Sequence, residues 1–142
     1  MRTIIIFFIL TNNISAKEIT GIPRIIDGDT VHINNYKIRL EGIDAPEIRQ
    51  KCKKEKLKIS SIIGYTFYDD YNCGEISKKK LIAKIKESEI KCFSSFKDRY
   101  KRFLATCFKG KINLNRWMVR NGHAVAYRRY SKEYIPDEDF AK

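Results

Sequence analysis

The sequence predicts one α+β domain, and three observations predict it. Apolar and polar residues alternate at period two between residues 19 and 40, an amphipathic helical pattern follows over 75–88, and two further apolar runs flank a turn near residue 98. A chain of 142 residues with 43% hydrophobic content has enough apolar surface for one core and not for two.

Taken in order, the elements begin with a leader. Met1-Arg2-Thr3 precedes seven apolar residues over 4–10, then polar residues and the small pair Ser15-Ala16. That layout predicts a signal peptide over 1–16 and a mature domain over 17–142, exported to the periplasm or the medium. The apolar run is far short of the roughly 20 residues a membrane span needs. A buried first strand is the alternative, disfavoured by the basic residue ahead of the run and the small residues behind it.

Ile25-Ile26, then Val31 and Ile33, then Tyr36, Ile38 and Leu40 predict a β-meander that turns at Asn34-Asn35, since asparagine tolerates the positive φ of a tight hairpin. Residues 51–71 show no sustained period and predict a long loop tied at its ends by Cys52 and Cys73. Ile76, Leu81, Ile82 and Ile85 among lysines predict a helix with those residues on its buried face; its Lys78-Lys79-Lys80 run reads as a solvated surface. Runs at 90–93 and 103–108 predict an antiparallel pair turning near Asp98-Arg99. Leu114, Trp117 and Met118 mark a short helix stopped by Gly122, with Trp117 in the core. A strand over 124–127 follows, and a helix starts after Pro136 on Asp137-Glu138-Asp139. His32 and His123 read as surface residues.

The four cysteines, Cys52, Cys73, Cys92 and Cys107, are spaced 21, 19 and 15 apart. No Cys-x-x-Cys pair is present, so a zinc site lacks its usual ligand spacing, and disulfides are the better reading in an oxidising compartment. Neighbour pairing, Cys52 with Cys73 and Cys92 with Cys107, is the simplest connectivity. The register of the antiparallel pair also sets Cys92 close to Cys107.

The formal net charge of +12 favours a polyanionic partner, nucleic acid or an anionic membrane, although a lysine-, isoleucine- and asparagine-rich composition also reflects base composition. Chemistry concentrates between Asp27 and Glu47. An Asp-Gly-Asp-Thr turn between strands, an arginine on a strand and Asp-Ala-Pro-Glu at that strand's end bring carboxylates and a guanidinium together. Oxygen ligands such as Asp29 and Asp44 with a backbone carbonyl suit calcium, Glu47 suits proton or water handling, and the planar fork of Arg39 suits a phosphate.

The segments Ile26-Asp27-Gly28-Asp29-Thr30, Ile38-Arg39-Leu40-Glu41-Gly42-Ile43-Asp44-Ala45-Pro46-Glu47 and Asp98-Arg99-Tyr100-Lys101-Arg102-Phe103-Leu104-Ala105 occur in the order of the staphylococcal nuclease family. Asn115-Arg116-Trp117-Met118-Val119-Arg120-Asn121-Gly122, Ala124-Val125-Ala126-Tyr127-Arg128-Arg129-Tyr130 and the cysteines resemble its short exported bacterial members. The resemblance implies a five-stranded OB-fold-type β-barrel with packed helices. It implies a calcium-dependent nuclease that cleaves DNA or RNA to 3′-phosphate and 5′-hydroxyl ends. Asp29, Asp44 and the Ala45 carbonyl would hold Ca2+, Arg39 and Arg102 would clamp the phosphate, Glu47 would activate water, and Tyr100 and Tyr127 would contact substrate. The expected partner is nucleic acid, bound by a monomer without stable membrane insertion once the leader is removed. Two departures carry expectations of their own. The family has glycine where Lys101 stands, which predicts a reshaped turn before Arg102. The final helix is mostly missing, which predicts lower stability. Two other readings are a nucleic-acid-binding module without efficient cleavage and a disulfide-stapled basic protein acting on membranes.

Overall fold

The alternating residues near the N-terminus form a meander, preceded by a strand that leaves it. The computed structural model describes residues 16–59 and 65–142; apart from Ala16, the expected leader lies outside them. Strands β1 (Lys17–Gly21), β2 (Arg24–Ile25), β3 (Thr30–Ile33) and β4 (Tyr36–Leu40) come first. Antiparallel pairing joins β2 to β3 and β3 to β4. Asn34 takes the positive φ of the turn, 52°. Val31, Ile33, Ile38 and Leu40 point into the core, while His32, Lys37 and Arg39 lie on the opposite face together with Thr30, which is itself buried. Each fully buried Ile or Leu contributes about 1.5–3 kcal/mol relative to an exposed one.

A short β5 (Ile43–Asp44) is followed by β6 (Cys52–Ile59) and β7 (Tyr65–Tyr71). These two pair antiparallel as a separate ribbon, so the expected loop over 51–71 is corrected to strands. Lys53 stands opposite Asp70 and Lys54 opposite Asp69, pairs of opposite charge that favour such a ribbon. Those four residues are exposed and charged, so this part of the ribbon shows no apolar alternation by which it could be recognised.

Helix α1 (Cys73–Ile85) begins two residues earlier than expected and is turned differently about its axis. Its buried face is Cys73, Gly74, Ser77, Leu81 and Ile85. Ile76 and Ile82, expected inside, are 43% and 45% exposed. Packing of the small residues explains the rotation: Ser77 Oγ donates to the His123 carbonyl at 2.7 Å, and the Cys52–Cys73 disulfide anchors the first turn.

Strands β8 (Ile90–Lys97) and β9 (Phe103–Lys109) are the expected antiparallel pair, with Cys92 opposite Cys107 and bonded to it. All four cysteines are thus in disulfides, which removes zinc as a reading of them; each bridge adds about 3 kcal/mol on a loop-entropy model. β10 (Ile112–Asn113) leads to α2 (Leu114–Arg120), then β11 (Val125–Ala126) and α3 (Ile135–Ala141). Gly122 ends α2 at φ 70°; its N–H bonds the Val119 carbonyl at 2.9 Å and that of His123 bonds Met118 at 2.8 Å, the double bond of a Schellman cap. Trp117 packs against the core as expected. His123 and His32 are both half-buried at the surface, the ring of His123 lying 5.4 Å from the indole.

The main sheet runs β1-β8-β9-β4-β3-β2. Contrary to the simple meander, β1 pairs with β8. Pro23 offers no N–H to continue a ladder, and the chain breaks pairing there. Because β1 and β2 are consecutive halves of one bent segment and sit at opposite ends of the sheet path, the sheet curls toward closure. Counting that segment once, with β3, β4, β8 and β9, gives the five strands of an OB-type barrel. Parallel pairing of β4 with β9, Ile38 opposite Phe103 and Arg39 opposite Leu104, joins the two halves of the chain. Asn115 locks that junction from α2. Buried completely, its amide bonds the carbonyls of Glu41 (2.9 Å) and Ala105 (3.0 Å) and accepts from Cys107 N–H (3.1 Å).

Candidate active site

The turn between β2 and β3 is wound by its own aspartate: Asp29 N–H bonds Asp27 Oδ1 at 3.1 Å. This delivers Asp29 into the first position before β3, where its side chain is only 4% exposed. One carboxylate oxygen accepts from Arg39 Nη1 at 2.8 Å and from the Thr30 hydroxyl at 2.9 Å; the other accepts from Ala45 N–H at 2.9 Å. Arg39 stands opposite Thr30 in the β3–β4 register and reaches Asp44 with its other nitrogen at 2.7 Å. Asp44 is fixed by β5, which pairs with β11, and its side chain is half exposed. One guanidinium therefore bridges a buried and an open carboxylate.

Burial dominates at Asp29. It pushes the carboxyl from its ordinary 3.8 to about 6, against the pull of Arg39, the Ala45 amide and the Thr30 hydroxyl and with a push from Asp27. At Arg39 burial also disfavours the charge, but Asp29 and Asp44 together more than offset it and the pKa rises. Both pKa values rise, with opposite consequences for charge: the shift favours the neutral carboxyl at Asp29 and the cation at Arg39, which is 18% exposed and faces two opposite charges. Since Asp29 binds its proton more tightly folded than unfolded, its contribution favours the fold fully below pH 3.8 and is lost as pH rises through about 6. A carbon-13 carboxyl titration should find the Asp29 midpoint near 6; a midpoint near 4 would exclude this environment.

Glu47 lies three residues beyond Asp44, exposed, and shares no hydrogen bond with Arg39 among the described residues. Its backbone is held instead. Gln50 N–H bonds the Glu47 carbonyl at 2.8 Å, Glu47 N–H bonds the Gln50 side-chain oxygen at 3.2 Å, and Gln50's own carbonyl accepts from Gly74 N–H at 3.3 Å. The start of α1 presses so closely on this loop that a β-carbon on Gly74 would overlap the Glu47 carbonyl. Neither Gln50 nor Gly74 was legible as part of the site; the glycine beside Cys73 was the only signal.

Arg102 is brought beside the strand bearing Arg39, one residue before the Phe103–Ile38 pair, but bonds neither Asp29 nor Asp44. Its Nε donates to Asp98 Oδ2 at 2.8 Å, and the amides of Tyr100 and Arg102 bond Asp98 Oδ1 at 2.9 and 3.0 Å. Burial raises the Asp98 pKa, but the Arg102 amide and guanidinium and the Tyr100 amide outweigh it and bring it below the usual range. Asp98 thus orients Arg102, a part that the motif contained without revealing. The turn expected to be reshaped by Lys101 is intact: Lys101 takes φ 63°, the conformation a glycine would supply, and Asp98 N–H still bonds the Arg102 carbonyl at 2.9 Å. Left-handed backbone costs a non-glycine residue about 1 kcal/mol or more. Lys101→Gly should therefore stabilise the fold by about 1 kcal/mol in urea unfolding, and a loss of stability would contradict this geometry.

Tyr100 is exposed with its ring 5.4 Å from the Arg102 guanidinium. Tyr127 follows β11, bonds the Gly42 carbonyl through its N–H at 2.9 Å, and packs its ring 4.9 Å from Tyr130. Among the described residues no three carboxylate, imidazole or thiolate side chains converge as a metal site. The expected ligands contribute two carboxylates, joined by Arg39, and the Ala45 carbonyl. All are hard oxygen donors, a set that fits a calcium ion better than a softer metal.

Fold and cluster together define a small OB-type barrel that carries, at its strand ends, an arginine held between two aspartates and a second arginine just before the neighbouring strand. The sequence model for staphylococcal nuclease homologues matches residues 37–142. The chain belongs to that family. It is 37% identical over 114 residues to a succinoglycan biosynthesis protein of Rhizobium meliloti, covering 78% of this chain and 53% of that one. It is 31% identical over 137 residues to an uncharacterized endonuclease of Haemophilus influenzae, covering 93% and 65%. A probable staphylococcal-like nuclease of Oryza sativa matches at 25% over 104 residues, 73% of this chain and 23% of that protein. The chain thus spans between half and two thirds of the first two relatives.

Proposed function

We propose that this protein is a calcium-dependent nuclease that hydrolyses phosphodiester bonds of DNA or RNA to 3′-phosphate and 5′-hydroxyl ends. The observation that carries the reading is Arg39 suspended between Asp29 and Asp44 on the outer face of the barrel, within the segment that matches the family. Two relatives named as nucleases support it.

Asp29, Asp44 and the Ala45 carbonyl would hold calcium, which when bound supplies positive charge against a phosphoryl oxygen. Arg39 is already desolvated and aligned. Turning its fork from the carboxylates to a phosphate replaces one pair of charge-assisted bonds by another and adds stabilisation as charge builds on the equatorial oxygens. Arg102, aimed by Asp98, is the second clamp. Glu47, carrying an exposed carboxylate on a rigid loop, takes a proton from the attacking water. The new bond forms between that water oxygen and phosphorus; the bond to the 5′ oxygen breaks, and that oxygen leaves as the hydroxyl after taking up a proton. Tyr100, whose ring lies beside Arg102, and Tyr127 would be substrate contacts.

A leader over 1–16, with export to the periplasm or medium as a monomer, completes the reading; two disulfides support the oxidising compartment. No helix among the described residues is long and apolar enough to cross a membrane. Oxidised protein should degrade single-stranded DNA in calcium and stop in chelator, followed on a denaturing gel. Absence of cleavage in calcium would refute the nuclease, leaving the binding module if DNA is still retained, and cleavage unaffected by chelator would refute the metal.

A further inference from the structure

Beside the cluster just described, the outer face of the β2–β3–β4 meander carries a second row of donors that this function does not use. Arg24 stands opposite His32, and His32 opposite Lys37. The three side chains share the face opposite Val31 and Ile38, which point into the core. Arg24 Nη2 lies 3.0 Å from His32 Nδ1. A guanidinium can only donate, so Nδ1 carries the lone pair and Nε2 the hydrogen. His32 is therefore neutral and offers a second donor. Its own burial and then the charges of Arg24 and Lys37 lower its pKa, which agrees with that tautomer. Among the described residues neither Arg24 nor Lys37 has an ion pair, whereas Arg39 and Arg102 are both matched to aspartates. Three donors with no carboxylate among them make a surface short of an anion.

The position of this row gives it meaning. It lies two residues along the same strands from the Thr30–Arg39 pair, about 6.8 Å at the rise of an antiparallel strand. That is of the order of the distance between successive phosphates in an extended polynucleotide. We infer that Arg24, His32 and Lys37 form a phosphate subsite for the nucleotide adjoining the scissile linkage, so that a single strand runs along the outer face of the β2–β3–β4 meander, parallel to its strands, with one phosphate on Arg39 and its neighbour on this row. The inference rests on the nuclease reading and adds a second phosphate site to it, by which a chain with more than one phosphate binds more tightly than an isolated phosphodiester.

The test is a binding measurement that needs no cleavage. Fluorescence anisotropy of a labelled oligothymidylate in chelator, over a series of salt concentrations, compares the oxidised wild-type chain with the Arg24→Ala/Lys37→Ala double variant. A control, Lys79→Ala/Lys80→Ala on the solvated face of α1, removes the same charge elsewhere. The subsite variant should bind roughly tenfold or more weakly, since hydrogen bonds to charged groups are lost. Its log–log salt slope should be shallower by about 0.7, one phosphate contact on a single strand. The control should stay near wild type, and the thymidine dinucleotide, with its single phosphodiester, should not distinguish the three proteins. Equal weakening in both double variants, or an unchanged salt slope, would overturn the subsite while leaving the nuclease reading intact. No binding by the wild-type chain would overturn the subsite, whereas the nuclease reading is overturned only by absence of cleavage in calcium.

Discussion

Replacing Glu47 by Gln should lower the rate of DNA cleavage by about 10²- to 10⁴-fold, the range that a positioned general base contributes. Stability should change by no more than about 0.5 kcal/mol, as for other surface substitutions. The separation of rate from stability follows from how the loop is built. Glu47 is anchored through its backbone to Gln50 and pressed by Gly74, whereas its carboxylate is exposed and makes no hydrogen bond among the described residues. Glutamine keeps the size and the backbone bonds and removes only the basic oxygen. Single-turnover cleavage measured alongside urea unfolding reads both quantities. A variant that cleaves within a factor of three of wild type would remove Glu47 from the chemistry, and one that unfolds early would show that the carboxylate is structural.

Arg39→Ala is expected to have the largest effect on stability. Removing one partner of a buried pair leaves the other charge without compensation, typically at about 3–5 kcal/mol. The lower end applies here, because Arg39 retains some contact with water and Asp44 is half exposed. Asp29, already near 6, would rise further and take up a proton at neutral pH. Cleavage would be lost as well, since the same fork serves the phosphate. Arg39→Lys should recover part of the stability and little of the rate, because an ammonium keeps the charge without two parallel donors. Urea unfolding at pH 7 measures the first effect; a change below about 1 kcal/mol would mean that Asp29 does not depend on Arg39.

How legible this architecture was depended on the range of the interaction involved. The β3–β4 hairpin is local: four apolar residues alternate about an Asn-Asn turn, and nothing distant is needed to pair them. The Cys92–Cys107 bridge follows from a single antiparallel register, and the end of α2 follows from one glycine. The β6–β7 ribbon is not legible in the sequence because its charged end, Lys53 and Lys54 opposite Asp70 and Asp69, is exposed and does not alternate. The rotation of α1 was missed because Ile76 and Ile82 looked like core residues, while the contacts that orient the helix, Ser77 with His123 and Cys73 with Cys52, join residues far apart in the chain.

The site divides along the same line. Sequence alone determined which residues are proposed to carry the chemistry, for Asp29, Arg39, Asp44, Glu47 and Arg102 sit in ordered motifs whose residue types suit oxygen ligation and phosphate binding. It also determined the disulfide partners and the sign of the surface charge. Only the tertiary structure decided how those residues stand to one another: Arg39 shared between Asp29 and Asp44, Thr30 and Ala45 completing Asp29's bonds, Asp98 holding Arg102 apart, and a free row of donors at Arg24, His32 and Lys37. Side-chain chemistry is a property of single positions and can be read one residue at a time. Charge compensation and burial are properties of neighbours in space, and here those neighbours meet through strand pairing and the packing of α1 against the loop after β5.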